Sequence, residues 1–230
     1  FTFLVHVLVL ALDKGGGLVL YLLCVGQASQ HGKSSIAASL PFILGAVANL
    51  GLATSLVYFV RRGRYSAQTC FETTMAVAVS WGGLVAAAAF VVTTFVLPLL
   101  LPDFVCDPWL IGPICAVVPL LLIASYANST QLATERIKDY GAVHVVTSLA
   151  FLPAFFLFFC GFGGKVADGH VPLGVAWGRL LSTAIVAAVA LFLVRKVVHL
   201  RARVDRAFLR DGLRYGWRAN IVSTLTYLNH

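Results

Sequence analysis

Three ionisable residues, Asp13, Lys14 and Arg179, stand inside stretches of sequence otherwise apolar enough to cross a membrane. A charge near the centre of a bilayer costs several kcal/mol unless it meets a partner or a water-filled interior, so such residues are functional candidates by default. Neighbours on a helix point about 100° apart, so Asp13 and Lys14 do not simply neutralise each other face to face. Gly15, Gly16 and Gly17 follow them directly and permit a local break. Arg179 lies seven residues past Pro172, about 10 Å below the outer boundary at 1.5 Å per residue. It is either a snorkelling anchor or a guanidinium facing a cavity, where its paired N–H donors suit a phosphate or pyrophosphate. If the first span is shorter, Asp13 and Lys14 lie instead in an interfacial kink; otherwise the three residues together describe a wet cavity between helices. Lys14 and Arg179 would attract an anionic headgroup there, and Asp13 would bind or release a cation.

Other motifs carry less. Gly26 to Ser34 resembles a phosphate-binding loop, but its glycines are one residue too far apart and it follows an apolar span instead of a buried strand. Asn128, Ser129 and Thr130 form a glycosylation sequon on what charge bias makes the cytoplasmic side, where that modification does not occur. Cys24, Cys70, Cys106, Cys115 and Cys160 show no metal-ligand spacing and read as small apolar fillers. No metal or cofactor is implied. Asp103 and Asp107 are the best acidic pair for acid/base chemistry, but their setting beside Pro102 and Pro108 reads as turn capping. His144 and His199 stand alone. Glu72 and Arg64 read as surface residues. Gly174 and Gly178 have the spacing that lets membrane helices approach closely, and Pro41, Pro113, Pro119 and Pro153 are expected to bend their helices.

The elements that must position these residues are transmembrane helices. Of the 230 residues 60% are hydrophobic and only 11% charged, with a mean hydropathy of +0.90, whereas ordinary domains carry about 25% charged residues. Too little polar surface exists to cover a globule. Apolar runs of roughly 20 residues, the length a bilayer core demands, predict spans at 1–25, 36–60, 73–100, 110–127, 142–162 and 172–194, with a seventh beginning near Tyr215 and cut off. The absence of apolar/polar alternation excludes barrel strands. The expected fold is all-α and polytopic: a six-helix transmembrane bundle over 1–194, a basic linker over 195–214, and the start of a further bundle over 215–230. The chain opens on Phe1 and reads as a fragment.

Loop charge orients the bundle. Loops after the second, fourth and sixth spans hold 13 basic residues and those after the first, third and fifth hold 2, which places the amino end and the linker in the cytoplasm. The net charge of +8 thus reflects topology and not nucleic-acid binding. Within the linker, Val197, Leu200, Val204 and Phe208 recur at helical spacing among arginines. That pattern predicts a basic amphipathic helix on the anionic inner leaflet, or else a solvated connector.

Three stretches are similar to polysaccharide-biosynthesis flippases, the O-antigen transporter branch of the multidrug/oligosaccharidyl-lipid/polysaccharide exporter superfamily. Residues 44–63 (LGAVANLGLATSLVYFVRRG) resemble the second helix of that family, 130–141 (TQLATERIKDYG) its loop between helices four and five, and 211–230 (DGLRYGWRANIVSTLTYLNH) its entry into helix seven. The resemblance implies the first lobe of a two-lobe transporter in a bacterial inner membrane. Such a protein moves an undecaprenyl-pyrophosphate-linked oligosaccharide across the bilayer by alternating access, often with ion coupling, and is not an enzyme. Two rivals stand beside it. A cation-coupled multidrug exporter would favour acidic and aromatic cavity residues. A membrane-embedded glycosyltransferase or polymerase would need a carboxylate or histidine cluster at an interface.

Overall fold

The computed structural model describes residues 28–100, 107–163, 170–199, 201 and 203–228, and those residues are helical apart from short connections. The predicted first span, with Asp13 and Lys14, lies outside them. Seven elements follow in order: α1 (Ala28–Asn49), α2 (Leu52–Arg61), α3 (Ala67–Val91), α4 (Pro108–Ala133), α5 (Ile137–Gly161), α6 (His170–Val194) and α7 (Arg206–Leu228). Helix α3 continues through a π-helical turn, Val92–Val96, into a last α-helical turn, Leu97–Leu100. Among the described residues four helices are long and apolar enough to cross a membrane, or five if α1 and α2 form one bent span.

Helix α4 occupies the centre. Of its most apolar window 61% is buried, against 22%, 28% and 39% for the corresponding windows of α3, α5 and α6. One core cluster joins Phe71, Leu122, Tyr126 and Val194, and a second joins Ile111, Phe155 and Val175. The outward faces are apolar too: Val79, Leu84, Phe95 and Leu99 on α3 are all exposed. Helices apolar all round have no amphipathic stripe for water, which is compatible with a multi-pass membrane protein. Two fully buried hydroxyls bond within their own helix, Thr74 Oγ1 donating to Cys70 O at 3.0 Å and Thr130 Oγ1 to Tyr126 O at 2.9 Å. Gln131, fully buried, reaches across to Ala190 O of α6 at 3.4 Å, a polar tie between apolar helices.

Small residues set one of the tightest contacts. A Cβ on Gly178 would lie 2.7 Å from Phe155 Cα, and one on Gly174 would lie 3.2 Å from Phe159 Cβ, so the glycine pair admits α5 against α6 as the spacing predicts.

The expected continuous helix over 36–60 is broken. Leu50 and Gly51 have φ of 52° and 72°, and α1 and α2 meet at 49°. This bend falls at the Leu50–Gly51 pair, not at Pro41, which sits inside α1. The break frees backbone groups that an apolar medium would leave unpaired, and three contacts engage groups at it. Tyr126 OH donates to Asn49 O at 3.3 Å, Asn49 Oδ1 accepts the Ala53 N–H at 3.4 Å, and Gly51 O accepts the Ser55 N–H at 3.1 Å.

Helix boundaries near the carboxyl end also differ from expectation. Residues 195–199, 201 and 203–205 are not helical, and α7 begins at Arg206. Val197 and Val204 therefore share no helical face with Phe208, and Leu200 lies outside the described residues. Helix α7 runs unbroken through 214 and 215. The physical reason is capping and anchorage: Asp205 Oδ1 accepts the Phe208 N–H at 2.8 Å, which starts the helix at that point.

Candidate functional site

Of the residues singled out for a charged cavity, the described structure places Arg179 alone. It lies on α6, with its guanidinium carbon 4.3 Å from the ring centroid of Phe151 on α5 and 4.9 Å from that of Phe42 on α1. Two aromatic faces from two other helices thus hold the cation. Such contacts are worth about 2 kcal/mol when desolvated, enough to offset part of the burial cost. Asp13 and Lys14 fall outside the described residues.

The remaining motifs resolve simply. From Ala28 to Ser34 the phosphate-loop lookalike is part of α1, and a regular helix offers no loop of amides for a phosphate. The sequon lies within α4, with Thr130 fully buried. Asp107 caps α4, its Oδ1 accepting the Trp109 N–H at 2.9 Å, and Asp103 lies outside the described residues. Cys70 and Cys115 are buried and Cys160 is exposed, all three as free thiols.

A second concentration of charge lies where α7 meets α2 and the start of α3. Gly51 and Gly216 bring two backbones into contact: a Cβ on Gly51 would stand 2.0 Å from Gly216 O. Ser55 Oγ donates to Gly212 O at 2.7 Å, Tyr58 and Tyr215 stack at 4.2 Å, and Phe208 is fully buried against Phe59 and Tyr65. Arg64 Nη2 lies 2.6 Å from Asp211 Oδ2, which also accepts the Tyr65 hydroxyl at 2.9 Å. Burial and the Asp211 carboxylate push the Tyr65 phenol above its usual value. The connection before α7 is pinned as well. Gln68 Nε2 donates to His199 O at 3.0 Å while its Oε1 accepts the His199 N–H at 2.7 Å, and Thr73 Oγ1 accepts the Asp205 N–H at 3.0 Å.

Arg64 is a surface residue, as its composition suggests, but it is also one half of this ion pair. The pairing spans 147 positions, and no local pattern around either residue announces it. Beside it opens a cavity of about 610 Å³ lined by Tyr58, Phe59, Arg64, Asp211, Arg214, Tyr215, Arg218 and Ala219. Elsewhere, an apolar cavity of about 370 Å³ lies between Trp109 of α4 and Trp177 of α6.

No protein-family model, curated protein or solved structure matches the chain.

Proposed function

We propose that this chain is the first lobe of a transporter that moves a lipid-linked pyrophosphate oligosaccharide across a bacterial inner membrane by alternating access. Arg179 carries the reading. A guanidinium within an apolar helix, flanked by aromatic rings of α1 and α5, suits a bundle interior where an anionic headgroup passes, because paired N–H donors match phosphate oxygens. Lys14 would add a second cation and Asp13 a coupling carboxylate. The span 1–25 would complete a six-helix bundle with the four described spans and the bent α1–α2 pair taken as a fifth, its amino end in the cytoplasm and α7 leading into a second lobe. The broken span at Leu50–Gly51 suits such a device, since helix breaks line cavities in transporters.

A cation-coupled multidrug exporter is less well supported. Among the described residues no Asp or Glu lies between 73 and 100, 110 and 133, 142 and 162 or 172 and 194. The rings of Phe42 and Phe151, which a lipophilic cation would seek, are already against Arg179.

The test uses the protein as encoded, reconstituted in liposomes with a fluorescent lipid-linked pyrophosphate sugar. Replacing Lys14 and Arg179 by glutamine together should abolish translocation while the protein remains monodisperse. R179K, which retains charge but not the bidentate fork, should fall between wild type and R179Q. Undiminished translocation in the double variant refutes the assignment.

A further inference from the structure

We propose that the open cavity between α2 and α7 is a binding site for a phosphate-bearing anion, distinct from Arg179. Its volume of about 610 Å³ lies within the range of small-ligand sites, about 300–1,000 Å³. Three guanidinium groups line it, Arg64, Arg214 and Arg218, against one carboxylate, Asp211, so the lining carries a net charge of +2.

The carboxylate does not work against the site. Asp211 is engaged by Arg64 at 2.6 Å, by the Tyr65 hydroxyl at 2.9 Å and by Arg210 Nε at 3.8 Å, and these contacts neutralise and orient it. The same pair fixes Arg64. Its guanidinium also lies over the rings of Phe59 and Tyr65, at 5.5 and 5.7 Å, so this flexible side chain is partly ordered before any ligand arrives, which lowers the entropic cost of binding. The pair with Asp211 takes up the Nη2 group and leaves Arg64 further N–H donors.

Arg214 and Arg218 are one turn apart on the same face of α7, both exposed. Among the described residues, no carboxylate lies within ion-pair distance of either. One wall of the cavity is rigid, because Tyr58 and Tyr215 are stacked at 4.2 Å with their planes 17° apart. A fixed cation, two with no carboxylate partner among the described residues and a stiff aromatic wall recognise an oxyanion by charge and by paired hydrogen bonds.

Phosphate can come from an anionic phospholipid headgroup or from a soluble phosphate compound. Trp217, 55% exposed between Arg214 and Arg218, is the residue type that settles at a headgroup layer, and the test separates the two sources. This inference does not depend on the transport reading, because binding is measured on the purified chain with no translocation step.

The chain in zwitterionic detergent is titrated, in separate arms, with short-chain phosphatidylglycerol, short-chain phosphatidylcholine and inorganic pyrophosphate, and binding is followed by calorimetry. Saturable binding of phosphatidylglycerol alone assigns the site to a lipid headgroup, and saturable binding of pyrophosphate assigns it to soluble phosphates. In either case R214Q/R218Q should weaken binding by about tenfold or more, the scale set by lost charge-assisted hydrogen bonds. R214K/R218K should recover part of the loss. R201Q/R203Q removes the same charge from exposed positions that do not line the cavity and should change binding less than about twofold. The proposal is overturned if neither anion binds saturably, if phosphatidylcholine binds as well as phosphatidylglycerol, or if the R201Q/R203Q control loses as much as R214Q/R218Q. Unchanged elution on size exclusion establishes that each variant is folded.

Discussion

Replacing Gly216 by alanine separates local propensity from tertiary contact, because the two predict opposite signs. Gly216 sits inside α7, where alanine favours the helix over glycine by about 0.8–1.0 kcal/mol. The added Cβ, however, would stand 2.6 Å from Gly51 O, 2.7 Å from Gly51 C and 2.7 Å from Ser55 Oγ. Two of those atoms are backbone and cannot swing aside. Reaching an ordinary C···O contact of about 3.3 Å requires the helices to part by roughly 0.7 Å. That separation stretches the buried Ser55 Oγ to Gly212 O bond from 2.7 Å to the edge of hydrogen-bond range. Ser55 keeps its second acceptor, Gly51 O at 3.1 Å, so the hydrogen-bond loss falls at the low end of about 1–3 kcal/mol. Overpacking adds about 1–3 kcal/mol. After subtraction of the propensity gain, G216A should weaken docking of α7 by about 1–3 kcal/mol, or about 5–150-fold in its opening equilibrium. Hydrogen exchange read by mass spectrometry on the chain in micelles gives this directly. Amides of 208–218 should exchange faster by that factor while those of α4 stay unchanged. Slower or unaltered exchange in α7 would refute the close approach.

At the α5–α6 contact, G178A should lower thermal stability in detergent by about 1–3 kcal/mol, since its Cβ would meet Phe155 Cα at 2.7 Å and neither backbone can yield. G163A would put its Cβ at ordinary contact distance, 3.9 Å, from the His170 ring, so backbone strain alone should set its cost of about 1–2 kcal/mol, from its φ of 100°. The Tyr65 phenol is raised when folded. Its contribution to docking is therefore fully present below its unfolded value of about 10 and is lost as pH rises through the higher folded value. Protease cleavage of the 195–205 connection should accordingly accelerate at strongly alkaline pH, and Y65F should flatten that rise. An equally steep rise in Y65F would place the titrating group elsewhere.

Much of this architecture is written locally. Runs of apolar residues announce where long helices lie, and the observed α4, α5 and α6 overlap the expected spans closely because length and hydropathy are properties of contiguous sequence. The Gly174 and Gly178 pair likewise declares a close helix contact through its spacing alone. Arg179 is conspicuous because a charge in an apolar run is visible without coordinates. Its two aromatic neighbours are not, since Phe42 and Phe151 come from other helices and are two of 16 phenylalanines in the chain.

Tertiary structure decided the rest. The break at Leu50–Gly51 packs against the Gly216 backbone, which arrives from 165 positions away, a contact that no local pattern announces. Basic residues in the 195–218 stretch read equally well as a surface helix or a solvated connector. Anchorage by Gln68 and Thr73, with capping by Asp205, turned the first part into a pinned irregular strap and made the remainder a docked helix. Charge counting could say on which loops the arginines lie. Only packing of α7 against α2 could bring Arg64 to Asp211 and set Arg214 and Arg218 around one cavity, because hydrogen bonds and ion pairs are made at a few ångströms while composition carries no distance.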